Sequence, residues 1–232
     1  MNLRNNLMAQ FIVGALLLVL CLAVLTLSQQ QATTVQNQLR DWQGHVSKLK
    51  LDIVSLQQQA QHYKLNAPRD FESYNRDVAV FYKQFQQALG SVNQSINLAR
   101  IPMGNLKSHS FYAAFFANNS AIEQAINKQT SFQTFWATFL NNLNEEIGNP
   151  SEPRLEWAAD HIINTQENLS SRTQALYQKV EQANQWFATR YELVSWIMSG
   201  TVLVFISIIL ALFALFIVRP IVSTTKVCED VA

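Results

Sequence analysis

Two long runs of apolar residues, neither containing a charge, dominate the hydrophobic pattern of the chain. They cover residues 7–27 and 193–218. A helix needs about 20 apolar residues to cross the hydrocarbon core of a bilayer, so each run predicts a transmembrane helix. The first run could instead be a signal peptide, but such peptides have apolar cores of about 7 to 15 residues. We therefore interpret it as a membrane anchor.

Between these runs, hydrophobic positions alternate in steps of four and three. This heptad spacing keeps one stripe of a helix against its partners and favours packing angles near about 20°. Proline and glycine cluster near residues 67, 102 and 149, which divides the segment into four stretches too long to be strands. In the first stretch the stripe consists of Val35, Leu39, Trp42, Val46, Leu49, Ile53, Leu56, Ala60 and Tyr63.

The pattern predicts an all-α fold, an antiparallel four-helix bundle flanked by two transmembrane helices. The first bundle helix would cover about 29–66 and the fourth about 152–192. No proline or glycine cluster separates these two helices from the adjacent apolar runs. Both should therefore continue directly into the membrane spans.

Four polar residues occupy stripe positions of the predicted bundle. Asn118 and Gln129 belong to the third helix, and Gln166 and Thr173 belong to the fourth. A buried amide costs stability unless it is hydrogen-bonded. These residues indicate register specification, solvent exposure or a polar ligand cavity, and the sequence leaves the three alternatives open.

Positive charges beside the two spans predict the orientation, because short loops rich in Lys and Arg stay in the cytoplasm. Arg4 precedes the first span, and Arg219 and Lys226 follow the second. The segment between the spans has 14 Lys and Arg against 14 Asp and Glu, a balance that argues against a nucleic-acid partner. The predicted division is 1–6 cytoplasmic, 7–28 transmembrane, 29–192 extracytoplasmic, 193–218 transmembrane and 219–232 cytoplasmic.

Candidate chemistry in the sequence is sparse. Cys21 and Cys228 both lie outside the extracytoplasmic segment, so packing alone must hold that segment together. No catalytic motif occurs, and the histidines are scattered rather than spaced as metal ligands. We expect no enzyme activity, no cofactor and no metal site. The histidines are His45, His62, His109 and His161.

Aromatic and cationic residues gather near the first and third joints. Tyr63 and Arg69 flank the first joint, and Arg154 and Trp157 follow the third. An arginine with aromatic walls suits a small carboxylate or a short peptide, so these four residues are the candidate ligand-binding site. Stripe aromatics in the core and solvated cations at the joints are the alternative interpretation.

The second span is followed by Arg219-Pro220-Ile221, and then by positions in three-four-three spacing at Ile221, Thr224, Cys228 and Val231. With two spans around a helical outer segment, the layout resembles the methyl-accepting chemotaxis receptors and the related sensor histidine kinases. The resemblance implies a homodimer in the bacterial inner membrane, with 29–192 in the periplasm. It also implies a HAMP linker that starts at 219 and is cut at Ala232.

The resemblance further implies a chemotaxis transducer that senses a small solute or a solute-binding protein. A conformational change would pass through the first and fourth bundle helices to cytoplasmic signalling partners. Some members of the family bind amino acids through arginines on the first helix, whereas Arg40 is alone on that helix here. The alternatives are the input region of a histidine kinase or cyclic-nucleotide enzyme, and a membrane scaffold that senses nothing.

Overall fold

The computed structural model describes residues 2–67, 71–108 and 120–213 of the chain. These ranges are helical apart from short turns, and they contain no strand, which confirms the all-α prediction. The helices are α1 (Asn2–Asn66), α2 (Phe71–Ser108), α3 (Ser120–Ile147), α4 (Leu155–Asn164) and α5 (Gln166–Phe213).

The chain divides into two compact units. The terminal unit comprises Met1–Thr34 and Ala188–Ala232, and the central unit comprises Val35–Phe187. Both α1 and α5 contribute residues to each unit without an interruption in the helix. The predicted continuity between the long helices and the apolar runs is therefore confirmed.

The core of the central unit is formed by the stripe residues that the heptad pattern predicts. On α1, all nine stripe residues from Val35 to Tyr63 are at most 3% exposed. Burial of these side chains stabilises the unit, because removing apolar surface from water is the dominant favourable term in folding. On the other helices the buried stripe residues include Phe85, Val92, Phe132, Trp136, Leu143, Leu155, Ile162, Leu176 and Phe187.

Contacts of α1 define the direction of its neighbours. Asn184 donates a hydrogen bond to Gln43, whereas Lys64 near the end of α1 pairs with Glu156 on α4. Residue numbers on α4 and α5 therefore fall as those on α1 rise, and these segments run antiparallel. Contacts with α2 follow the same rule, since Tyr63 packs on Phe81 and Phe85, and Asp52 accepts a hydrogen bond from Ser95.

The helix α3 contacts both α2 and α5. Trp136 Nε1 donates a 2.7 Å hydrogen bond to Asn93 Oδ1 on α2. On the other side, the guanidinium of Arg172 on α5 lies 4.4 Å from the ring centre of Phe135. A charged group held over an aromatic face adds electrostatic attraction to the packing.

The predicted turn near residue 102 is wrong. Pro102 lies inside α2, is buried, and is followed by further helix to Ser108. A proline removes one backbone donor and crowds the preceding turn, yet the helix continues through it. The second joint and the predicted start of the third helix, with Asn118, lie outside the described residues.

The other two joints are confirmed, with one correction to the fourth helix. Helix α1 ends at Asn66, and α3 ends at Ile147, followed by Gly148 with a φ of 71°. The predicted single helix over 152–192 is wrong, because Thr165 separates α4 from α5. Thr165 has backbone angles of −95° and −1°, and its hydroxyl donates to His161 O at 2.7 Å.

The terminal unit leaves its large apolar side chains exposed. Both α1 and α5 are long and apolar enough to cross a membrane, as their length and composition show. Exposed apolar surface on this scale marks a site of contact with another apolar phase or partner. Among the described residues of this unit, the most exposed large apolar side chains are Leu16, Val19, Leu20, Leu27, Trp196, Ile197, Leu203, Val204 and Leu210.

Candidate ligand-binding site

Arg154, predicted from sequence as a ligand-binding residue, lies at the joint between α3 and α4. Its Nη2 atom donates a 2.6 Å hydrogen bond to Glu145 O, and its backbone N–H donates to Ile147 O at 2.9 Å. These carbonyls belong to the last turn of α3, where acceptors lack partners within the helix. A cation at this end also interacts favourably with the helix dipole. Arg154 is therefore a cap for α3.

Trp157 lies beside Arg154, as the sequence pattern proposed. The guanidinium carbon of Arg154 is 4.9 Å from the centre of the Trp157 ring. The Trp157 side chain remains 57% exposed. A guanidinium carries five N–H donors, so a cation fixed by a carbonyl and an aromatic face still presents donors to solvent. These two residues form an exposed cation–aromatic pair.

Tyr63 is not exposed like that pair. Tyr63 is 3% exposed and sets its ring edge-on to Phe81, with 5.3 Å between ring centres. It is a core residue, and this burial favours the alternative interpretation of stripe aromatics. Arg69 lies outside the described residues. The role of these two residues in a ligand site stays a prediction.

Ion pairs that were not predicted from the sequence connect α1 to α4. Lys64 Nζ lies 3.2 Å from Glu156 Oε1 and 3.0 Å from Asp160 Oδ1. The hydrogen bond to Asp160, followed by that to Glu156, raises the pKa of Lys64 above its usual 10.5. The spacing of four between the two acidic residues places them on one face of α4, and this was a signal available in the sequence.

Two of the polar stripe residues are buried in the core. Gln129 is fully buried and accepts a 3.4 Å hydrogen bond from Trp42 Nε1, while no described residue accepts from Gln129 Nε2. Thr173 is 1% exposed and bonds to Leu169 O within its own helix. A buried amide with a donor unused destabilises the core that contains it. Burial excludes solvent exposure as the explanation for Gln129, and register specification or a polar cavity stays a prediction.

Gln166 takes part in a polar contact between α1 and the start of α5. Gln57, which is only 5% exposed, donates from Nε2 to Gln166 O at 3.2 Å and to Ser170 Oγ at 3.1 Å. Gln61 Nε2 donates to Gln166 Oε1 at 3.2 Å. We refer to Gln57, Gln61, Gln166 and Ser170 as the junction network. Gln57 was missed in the sequence because it is adjacent to the apolar stripe rather than on it.

In the terminal unit, a narrow crevice opens between α1 and α5. Its cavity volume is about 10 Å³, which is room for about one water molecule. Elsewhere, no group of three or more His, Cys, Asp and Glu residues that could hold a metal ion occurs within the described ranges. The crevice is lined by Leu25, Ser28, Gln29, Tyr191, Val194, Ser195 and Met198.

Comparison with known proteins found no relative of this chain. No family model matches the chain, no curated protein matches it, and no solved structure matches it. The functional assignment therefore depends on the helices, the exposed apolar surface and the residues at the joints.

Proposed function

We propose that the chain is the sensory and membrane-crossing part of a transmembrane receptor, similar in layout to the methyl-accepting chemotaxis receptors. One observation carries the proposal: α1 and α5 each extend from an apolar, membrane-length segment into the central unit without a break. A continuous helix transmits displacement or rotation along its axis, because its backbone hydrogen bonds all lie within the segment. This is the connection that a receptor needs between its sensing part and the membrane.

We infer that the central unit is a single antiparallel four-helix bundle. In support, α1 contacts α2 through Tyr63 and contacts α5 through Gln43, while α3 contacts α2 through Trp136 and α5 through Arg172. Four helices with contacts around this closed sequence of neighbours, and stripes at heptad spacing, agree with bundle packing.

The proposed topology places both spans in the bacterial inner membrane, with the termini in the cytoplasm and 29–192 in the periplasm. Tyr191 and Trp196 lie where the second apolar run begins, and Trp196 is 74% exposed. Tyrosine and tryptophan are enriched at the boundary between lipid and water. This supports an outer boundary of the membrane near these residues.

Cysteine labelling tests the topology directly. With Cys21 and Cys228 changed to serine, Ser151→Cys should react with a membrane-impermeant maleimide on cells whose outer membrane has been made permeable. Asn5→Cys should react only after the inner membrane is opened. Labelling of both cysteines before that step, or of neither, would contradict two crossings with cytoplasmic termini.

The proposed ligand class is a small carboxylate held by Arg154 and Trp157. The support is the exposed guanidinium beside a half-open aromatic face, which suits a planar anion. Isothermal titration of the full chain with a panel of small carboxylates tests this. Arg154→Ala should weaken binding at least about tenfold, since charge-assisted hydrogen bonds contribute about 1.5 to 3 kcal/mol.

Arg172→Ala is the matched control for that titration. Arg172 also stacks on an aromatic ring and bonds to a neighbouring side chain, Asn168, but it lies on α5. A carboxylate whose affinity falls equally in both variants would exclude a site at Arg154.

A hybrid protein tests the receptor function itself. Residues 1–220 would be joined to the HAMP linker and output region of a chemotaxis receptor or of a histidine kinase. We expect a bound carboxylate to change the output in membranes. An output that no ligand and no central-unit substitution changes would favour the membrane scaffold.

A further inference from the structure

The interruption between α4 and α5 lies at Thr165, whose hydroxyl bonds to the main-chain carbonyl of His161 in the preceding turn. Neither proline nor glycine occurs in the stretch from Ile162 to Gln166. A Ser or Thr hydroxyl that bonds to the carbonyl four residues earlier often bends a helix. Beside this bend, Gln57 Nε2 from α1 donates to Gln166 O, a main-chain acceptor in the first turn of α5.

The junction network holds α5 to α1 by both main chain and side chain. Gln57 binds the carbonyl of Gln166 and the hydroxyl of Ser170, while Gln61 binds the side chain of Gln166. The hydroxyl of Ser170 in turn donates to Gln57 Oε1 at 3.4 Å. Both polar ends of the nearly buried Gln57 amide therefore have partners on α5. Loss of the α5 contacts would leave that amide unsatisfied unless water replaces them.

The short helix α4 is held by different partners. Lys64 pairs with its acidic residues Glu156 and Asp160, and the ring of Phe139 on α3 lies 5.3 Å from the ring of His161. Its buried face includes only two large side chains, Leu155 and Ile162, with two alanines between them. A helix of 10 residues with so small an apolar face depends on its neighbours for stability.

We propose that Thr165 is a hinge and that Gln57 is the latch that sets its position. In the latched state, Gln57 binds Gln166 and Ser170 on α5 while Lys64 binds α4, so α1 fixes the angle between the two helices. In the unlatched state the Gln57 bonds are broken, and α4 and α5 change their angle about Thr165. Neutral hydrogen bonds exchange for bonds to water at modest net free energy, so both states are within thermal reach.

This hinge deepens the proposed receptor function, on which its signalling role rests. The exposed pair Arg154 and Trp157 lies at the start of α4, and α5 continues into the second apolar run. A ligand that favours the latched state would couple its own binding to α5. A ligand can shift such an equilibrium only by its differential affinity for the two states.

Hydrogen exchange of the full chain in lipid nanodiscs tests the hinge without any ligand. Gln57→Leu keeps the volume of the side chain but removes its polar groups. We expect amide exchange over 156–170 to become at least about tenfold faster, with exchange over 39–49 and 176–187 unchanged. Gln58→Leu, at the exposed neighbouring position, is the matched control and should leave all three ranges as in the parent chain.

Two results would overturn the latch. The first is equal exchange in Gln57→Leu and Gln58→Leu, and the second is acceleration spread evenly over the central unit, which would make Gln57 a packing residue. Gln57→Glu keeps the acceptor for Ser170 but removes the donor to Gln166 O. It should accelerate exchange as Gln57→Leu does, whereas exchange at the parental rate would exclude the donor as the latch.

Output of the hybrid protein separates this inference from the receptor function. If Gln57→Leu accelerates exchange locally but no ligand or variant changes output, the hinge stands and the receptor function fails. If ligands change output while exchange stays at the parental rate in Gln57→Leu, the receptor function stands and the hinge fails.

Discussion

At Gly148, both the backbone conformation and the neighbouring Arg154 side chain favour a glycine. Its φ of 71° is unfavourable for residues with a Cβ, and an added Cβ would lie 3.0 Å from Arg154 Nη2. We predict that Gly148→Ala lowers the free energy of unfolding by about 1 to 2 kcal/mol. Urea unfolding of the full chain in detergent, followed by circular dichroism, measures the change.

Gly90 provides the opposite control. It lies within α2, where an added Cβ meets no atom within 4 Å. Gly90→Ala should raise the free energy of unfolding by about 0.5 to 1 kcal/mol, because alanine loses less backbone entropy in a helix. If Gly148→Ala and Gly90→Ala changed the free energy of unfolding in the same direction, the backbone explanation would be contradicted.

Lys64 is expected to make stability depend on pH in the alkaline range. Its folded pKa lies above the unfolded value of 10.5 because Asp160 and Glu156 favour its charged form. The stabilisation is therefore complete below that unfolded value and is lost as the pH rises through the folded value. We predict that the free energies of unfolding of the parent and of Lys64→Met become equal as the pH rises through that range. Lys48→Met is the control for a lost charge. A constant difference between parent and Lys64→Met would show that the carboxylates do not act on Lys64.

At the residue scale, the sequence predicted those parts of the site that depend on local spacing. Arg154 and Trp157 are three positions apart, so a helical turn brings them together. The core position of Tyr63 was also available, as it ends an apolar stripe. The role of Gln57 could not be predicted, because its partners are more than 100 residues away in sequence and polar residues next to a stripe are ordinarily solvated.

At the element scale, the positions of the helices follow the heptad stripes, and the two errors concern Pro102 and Thr165. Pro102 predicted a turn from a local rule, yet the helix continues through Pro102 to Ser108. Thr165 carries no breaker signal, and its interruption coincides with a contact from α1. Local patterns therefore predicted the helices and two of their three joints, but neither the continuation through Pro102 nor the interruption at Thr165.

Helix α5 is predicted to transmit signals only while it remains continuous. Inserting two glycines between Phe187 and Val194 in the hybrid protein should abolish the change in output while leaving carboxylate affinity nearly unchanged, since glycine weakens helices by about 1 kcal/mol each. Insertion of seven alanine-rich residues keeps the heptad phase and should preserve a response. A full response after the glycine insertion would exclude a relay through α5.

At the scale of the whole molecule, we predict a homodimer that pairs through α1, as the resemblance to chemotaxis receptors implies. Leu51 and Val54 lie on the exposed side of α1, at 67% and 38% exposure. In membranes, a variant with Leu51→Cys as its single cysteine should form disulfide-linked dimers on oxidation. Thr134→Cys, exposed on α3, is the control, and equal cross-linking at both positions would indicate random collision.

The antiparallel contacts of α1 also determine the order in which the protein can mature. Gln43 finds its partner Asn184 only 141 positions later in the chain. During synthesis the stripe of α1 therefore emerges long before the segments that cover it, and pairings so distant in sequence form slowly. Until α5 has left the ribosome, the nascent chain presents an open apolar seam of the kind that chaperones recognise. An interrupted translation product that stops before α4 is consequently a substrate for proteolysis rather than a smaller working domain.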